Sequence, residues 1–437
     1  MTTRTDVASG PTFSWRAGWR YGLMGLPLAF VALPLYVLLP NHYAREFGLS
    51  LGGLGALLLA VRLFDAVIDP WLGRWADRLF AHSPSAVLGW GALAAALLCA
   101  GFALMFSPPL AVSGTSGQPL MLWLGLSLLL TTVAYSALSI LHQAWGARLG
   151  GNEAKRSRVV AWREGFGLAG VVLASILPLV LGLPATEAIL LIAAVAAWLA
   201  WRAGPTPFHR PSRPTPGDPT RSRLANSVWL PWKRPGFCAL MAVFMVNGIA
   251  SAVPATLILF FVQDRLQAPA AMAPVFLGTY FVCAALALPL WLHVVARLGL
   301  VRTWGLGMVL ALAVFGFAAQ LGAGDSLAFL AVCALSGVAM GTDLALPAAL
   351  LNGQIEAHGD RGQAEGAYFG WWAFASKLNL ALAAGLALPL LDALGYTPGT
   401  RDPQALNTLT WAYCLLPCAL KSIALALLYT FILRKTP

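Results

Sequence analysis

Three charged side chains stand one helical turn apart in an otherwise apolar run: Arg62, Asp65 and Asp69 in RLFDAVIDP. At about 100° per residue they fall within about 60° of one helical face. Crowding a second buried carboxylate within a turn of the first suits reversible proton binding or recruits a cation such as Na+. An Arg62–Asp65 pair would neutralise part of this stripe and leave Asp69 over. Lys377 is a second intramembrane charge, and its helical face also carries Gly366, Gly370, Ala373, Ala381 and Ala384. Small residues let another helix approach closely, so the ammonium is expected against a partner helix and in need of a carboxylate, Asp65 or Asp69. On another stretch Tyr135, Ser136, Ser139 and His142 share an arc of roughly 100° and could line a solute cavity. The serines could equally bond their own backbone carbonyls, and His142 could be a satisfied core histidine. Asp343 and Lys421 also interrupt apolar runs, and the sequence assigns them no role.

The elements that carry these residues must be membrane helices. Of 437 residues, 59% are hydrophobic and only 10% charged, whereas a soluble domain carries about a quarter. Apolar stretches of roughly 20 residues, each able to cross a bilayer core of about 30 Å, recur along the whole chain. Hydropathy predicts twelve spans centred near residues 30, 60, 96, 132, 172, 193, 250, 284, 312, 338, 378 and 419. The fold class expected is an all-α polytopic membrane protein. Each buried charge in such a span costs about 2.5–3.5 kcal/mol on insertion scales, which is why the ones above are read as functional.

Most of the 28 Lys and Arg fall in the segments facing one side. The positive-inside rule makes that side the cytoplasm, with both termini inside and the chain in the plasma membrane, the inner membrane of a bacterium. The polar first 20 residues lack a short apolar core with a small-residue cleavage site, so no cleaved leader is expected. The net charge of +11 is scattered over short loops, so it is a topology signal and no nucleic-acid partner is expected. The six cysteines lie in apolar spans without the spacing of a metal site.

The chain divides near its middle into 1–202, a linker at 203–235 and 236–437. The linker holds eight prolines with Arg210, Arg213, Arg221, Arg223, Lys233 and Arg234, and should be flexible or extended. Six spans precede it and six follow. Pro70, Arg78 and Leu79 recur as Pro289, Arg297 and Leu298 half a chain later, the trace expected of two parallel six-helix repeats.

The stretch from YGLMGLPLAF through RLFDAVIDPWLGRWADR, with Tyr135, Arg163 and EGAYFGWWAFASKL around Lys377, resembles the glycoside-pentoside-hexuronide:cation symporter family of the major facilitator superfamily, the melibiose permease-like transporters. That resemblance implies the major facilitator fold, two six-helix bundles and alternating access. It implies a cation site of Asp65, Asp69 and Ser136 with Lys377 beside it, and Arg163 reaching the solute. From their spacing, Arg62 would belong to the cation site, and Tyr135, Ser139 and His142 would join Arg163 in holding that solute. Gly73, Asp77 and Arg78 of GRWADR resemble the superfamily's loop motif that locks the inward gate.

The departures bear on substrate. Where the family has sugar-binding carboxylates this chain has Ala29 and Ser139, and Ile68 stands where a carboxamide is common. The expected function is cation-coupled symport of a sugar-like or small organic solute by a monomer, with H+ as coupling ion and Na+ as runner-up. A lysolipid or other amphiphile is the alternative solute. Arg163 with His142 would favour a solute bearing an acidic group. Intramembrane aspartyl proteolysis is the remote alternative: it needs aspartates on facing helices, whereas Asp65 and Asp69 share one. No enzyme and no cofactor other than the coupling ion is expected.

Overall fold

The computed structural model describes residues 13–35, 39–47, 49, 51–109, 117–207, 227–269, 271–396 and 399–435. Nine segments among them are long and apolar enough to cross a membrane: Pro84–Phe106, Gln118–Arg148, Glu153–Pro178, Val180–Arg202, Pro235–Arg265, Met272–Leu298, Leu300–Ala318, Ser326–Ala357 and Pro403–Phe431. The first span is described as the helices Trp15–Gly22, Gly25–Leu33 and Leu39–Glu46. Leu51–His82 and Glu365–Ala393, the second and eleventh spans, also reach bilayer length at about 1.5 Å per residue and carry the charges singled out above. Every expected centre falls inside its helix. Large apolar side chains face outward, Leu122, Ile192, Leu286 and Leu327 among them, as they must where the solvent is hydrocarbon.

Local chemistry sets the breaks. Asn152 and Ser83 cap the fifth and third spans by accepting from Lys155 N and Ala86 N, which satisfies amides left over at a helix start. The fifth and sixth spans join at Gly182, whose φ of 79° only glycine adopts without strain. The seventh and twelfth spans each contain a π-helical turn, Phe261–Arg265 and Trp411–Leu415. Phe261 stacks on Tyr413 there, centroids 4.2 Å apart.

The two halves meet most closely where the second span crosses the eleventh. A Cβ on Gly73 would lie 2.0 Å from the Gly366 carbonyl oxygen, one on Gly366 2.0 Å from that of Gly73, and one on Gly370 2.5 Å from that of Asp69. Backbone therefore packs directly on backbone, and this contact sets the depth at which Lys377 meets the second span. The tenth span also leans on the fifth, and the eighth on the fifth, closing the end of the bundle that carries the chain termini, here called the terminal side.

The expected linker is packed at both edges. Arg20 and Trp145 donate to the carbonyls of Ala203 and Pro205. Trp229 and Trp232 contact the Trp371 ring at 4.9 and 5.2 Å, and Trp371 Nε1 donates to Val228 O at 2.8 Å. Arg234 pairs with Asp360 at 2.7 Å, and its hydrogen bonds to that carboxylate raise its already high pKa. Residues 208–226, with Arg210, Arg213, Arg221 and Arg223, lie outside the described residues.

The close crossing gives a direct test. Gly73→Ala should destabilise the folded protein by about 1–3 kcal/mol through overpacking, whereas Gly89→Ala, with open space around the new methyl, should be neutral or slightly stabilising. Thermal unfolding in detergent separates them, and equal midpoints would show that the crossing is not tight.

Candidate functional site

Lys377 reaches across the crossing and binds three groups of the first half. Its Nζ lies 2.6 Å from Asp65 Oδ2 and 2.7 Å from Asp69 Oδ2, and donates to Ser136 Oγ at 2.7 Å. Ser136 in turn donates to Asp65 Oδ1 at 2.7 Å. Asp69 is wholly buried and Asp65 nearly so. Neither Asp69 oxygen has a partner in hydrogen-bonding geometry, so its contact with the ammonium is charge against charge at Oδ2, and Oδ1 is left over. Two carboxylates share one ammonium, so the three groups together carry one uncompensated negative charge when all are ionised. A buried net charge is costly, and one monovalent cation or one proton removes it.

Arg62 takes a different place from the one its spacing suggested. The ammonium that Asp65 meets is Lys377, while Arg62 is exposed and lines, with Asp65, Leu58 and Thr132, a cleft of about 10 Å³. That is about the room of one water. A helix from the other half brings the Lys377 ammonium into contact with Asp65, and sequence spacing along one helix carries no trace of that.

The fourth-span stripe divides. Ser136 enters the charge cluster, and Tyr135 is half-buried. Ser139 accepts from Gln143 Nε2 at 2.9 Å. His142 is a correction: it is fully buried, with Nε2 2.8 Å from Tyr21 O, its ring stacked on Tyr21 and edge-on to Trp201. Tyr21 Oη donates back to His142 O at 3.1 Å. The histidine therefore zips the first span to the fourth inside the core, with Nδ1 left without a hydrogen-bond partner. Arg163 pairs with Glu164, its neighbour in sequence, which the motif reading overlooked.

At the terminal end the GRWADR motif does what its shape allows, with one exchange of partners. Asp77 accepts from Gly366 N at 2.7 Å and from Ala367 N at 2.9 Å, so it caps the eleventh span, where a carboxylate suits both the free amides and the helix dipole. Gly73 provides the close approach that makes this reachable. Arg78, expected in the lock, is exposed instead, and Arg74 bonds Asp77 at 2.8 Å. Arg148, also unforeseen, is 1% exposed, lies over the Phe80 ring and bridges Asp77 at 3.4 Å to Glu365 at 2.8 Å. Further ties run Arg156–Glu356, Arg361 to Arg148 O, and Leu300 N to Glu153. The terminal side is thus sealed by bonds between the halves. Arg148 and Glu365 sit at span ends, where charges are ordinary, so nothing in the sequence marked them.

Asp343 and Lys421 form a second polar cluster within the second half. Asp343 accepts from Asn247, Trp304, Ser251 and Lys421, at 3.0, 2.8, 3.2 and 3.0 Å. A carboxylate with four donors is satisfied as it stands, and the cluster ties the seventh, ninth, tenth and twelfth spans together.

Twelve membrane helices in two six-helix bundles, joined by a charge cluster and a capped crossing, define a membrane protein of the major facilitator class. Residues 20–435 match the family described as MFS/sugar transport protein, and the chain belongs to that family. It is a family of transporters, not enzymes. The chain is similar to two Escherichia coli proteins: YagG, named for glycoside/cation symport, at 29% identity over 34% of this chain and 32% of that protein, and the inner membrane symporter YicJ, at 26% over 37% and 34%. The matched stretch spans about a third of the length of each. Among solved structures it resembles a bacterial homologue of the iron transporter ferroportin in an outward-facing state, with TM-score 0.71, 16% identity and coverage of 95% of this chain and 99% of that one. It also resembles the E. coli fucose:proton symporter, with TM-score 0.65, 15% identity and coverage of 93% and 98%. At such identities the likeness to these structures shows the fold.

Removing one partner of a buried ion pair costs about 3–5 kcal/mol. Lys377→Met should therefore destabilise the protein strongly at neutral pH, and adding Asp65→Asn to it should recover a large part of the loss. Thermal midpoints of the single and double variants check this. A double variant as unstable as the single one would show that Lys377 acts through packing alone.

Proposed function

We propose that the chain is a cation-coupled symporter of a small polyhydroxylated solute, driven by the proton, working by alternating access with the terminal side facing the cytoplasm. The observation that carries the reading is the unbalanced charge at Asp65, Asp69 and Lys377, with one Asp69 oxygen unpartnered. A site shared by both halves that lacks one positive charge couples ion binding to their separation: the ammonium can leave Asp69 only if something else neutralises it. The name of the relative YagG, a glycoside/cation symporter, points the same way.

The geometry favours H+ over Na+. A hard cation of this size needs around five or six oxygens. Asp65, Asp69 and Ser136 supply five side-chain oxygens, but the Lys377 ammonium occupies the point toward which they converge. Sodium would have to displace it, and Ile68 offers no further oxygen. A proton needs only the free oxygen of Asp69. Once it binds, Lys377 keeps Asp65 and Ser136, the grip on Asp69 weakens, and the crossing of the second and eleventh spans is released.

For the solute, the Arg163–Glu164 pair on the fifth span offers a donor fork beside an acceptor, the combination that hydroxyls use. An acidic solute would have to displace Glu164, and His142, buried in the core, cannot assist it. A neutral sugar or polyol therefore fits better than the acidic solute its sequence suggested.

In liposomes, a pH gradient alone should drive solute accumulation and a Na+ gradient alone should not. Asp69→Asn should abolish gradient-driven accumulation while counterflow exchange survives in part, since exchange moves no net proton. Accumulation that follows only Na+ would overturn the proton assignment. Competition by sugars, uronides and lysolipids against labelled uptake should rank neutral sugars first, and Glu164→Gln should weaken them about tenfold, the loss of a charge-assisted hydrogen bond. Uptake competed only by uronides or only by lysolipids would exclude the polyol reading.

A further inference from the structure

The outer surface of the second half carries a groove between the ninth and twelfth spans. It holds about 690 Å³, and Val301, Gly305 and Val309 form one wall while Leu425 and Tyr429 form much of the other. Farther along, the two spans approach, with Cys418 Sγ 3.8 Å from Leu312 O. Toward the terminal side Gly305 and Ala426 face the gap, and neither fills it. A Cβ on Gly305 would stand 3.6 Å from Leu425 and 3.8 Å from Leu428, in ordinary contact, so the space is open to a guest. From Val301 to Val309 the groove rises about 12 Å along the helix, enough for the upper half of an acyl chain.

The charged part of this lining is confined. Arg302 stands two residues into the ninth span, at the terminal-side mouth. Arg297 and Arg434 are the chain neighbours of Leu298 and Leu433, which also line the groove. All three arginines are exposed, and none meets an acid among the described residues. An apolar slot on the lipid-facing surface under a basic mouth is complementary to one kind of molecule, an acyl chain below an anionic headgroup. We propose that this groove binds one acyl chain of an anionic phospholipid from the leaflet on the terminal side, with the lipid phosphate held by Arg302. The site lies outside the bundle, away from the charge cluster that joins the two halves, and is therefore distinct from the transport path.

The test uses the full chain, purified in detergent, delipidated and titrated with phosphatidylglycerol, with phosphatidylcholine and with glycerol phosphate, bound lipid being counted by native mass spectrometry. The wild type should retain one phosphatidylglycerol and prefer it to phosphatidylcholine. Arg302→Gln should weaken retention about fivefold, the share of one basic group near anionic lipid. Gly305→Trp should abolish it, and Ala426→Leu, a milder change on the same exposed wall, should reduce it in a protein that keeps its unfolding midpoint. Arg202→Gln, an exposed arginine at the same end of the other half, should have no effect. Retention unchanged by both Gly305→Trp and Ala426→Leu would overturn the proposal. So would equal retention of phosphatidylcholine, full competition by glycerol phosphate, or a dimer that Gly305→Trp separates, since that last result would make a second copy the occupant.

Discussion

One ammonium held between two carboxylates of the opposite half is the interaction on which the rest of this structure depends. In hydrocarbon such a group cannot be left to solvent, so the eleventh span must press its face against the second closely enough for Lys377 to reach both acids. Ordinary side chains would hold two helix axes about 8–10 Å apart. Gly73, Gly366 and Gly370 remove that spacing, and the resulting contact of backbone on backbone brings the start of the eleventh span onto Asp77. The cap and the charge cluster are thus two ends of one crossing. Loosening either end weakens the other, because the same two helices carry both.

This arrangement explains why the terminal-side seal is built from so many charges while the cluster at Lys377 is built from few. Near the ends of the spans, the partly exposed Arg156, Arg361 and Glu356 can lose and regain partners at modest cost, whereas Arg74, Arg148 and Glu365 are buried with Asp77 and hold more firmly. Deeper in, each charge released without a substitute is expensive. The seal and the core thus divide the work: the first sets how firmly the halves stay together, and in the proposed mechanism the second sets the condition under which they would separate.

The sequence made the deep charges legible and the shallow ones not. Asp65, Asp69 and Lys377 stand out because the bilayer penalises them and because small residues share the lysine's face. Arg148 and Glu365 do not, since charges at span ends are expected in any membrane protein. The contact of Asp65 with Lys377 was hidden for a related reason. Spacing along one helix records which residues share a face and says nothing of a cation arriving from another helix. His142 looked like a cavity residue on the same logic, yet the first span lies against that face and Tyr21 covers it. The linker's tryptophans were overlooked because proline and arginine dominated its composition, although three indoles packed together are what anchors its second edge.

The cluster at Asp343 and Lys421 shows why buried charge alone does not make a coupling site. There, four donors surround one carboxylate, the ammonium also bonds Ser251, and charge balances within one bundle. Adding a proton would sacrifice bonds already made and gain nothing in neutrality. At Asp65 and Asp69 the balance is short by one, a carboxylate oxygen is unpartnered, and the groups belong to both bundles, which the proposed alternating access would part. Incompleteness and position across the moving interface together distinguish a site that can respond to an ion from one that holds helices together. A cluster satisfied within one half stiffens that half, so in the proposed mechanism the free energy released when an ion completes the other cluster would be directed to the crossing between them.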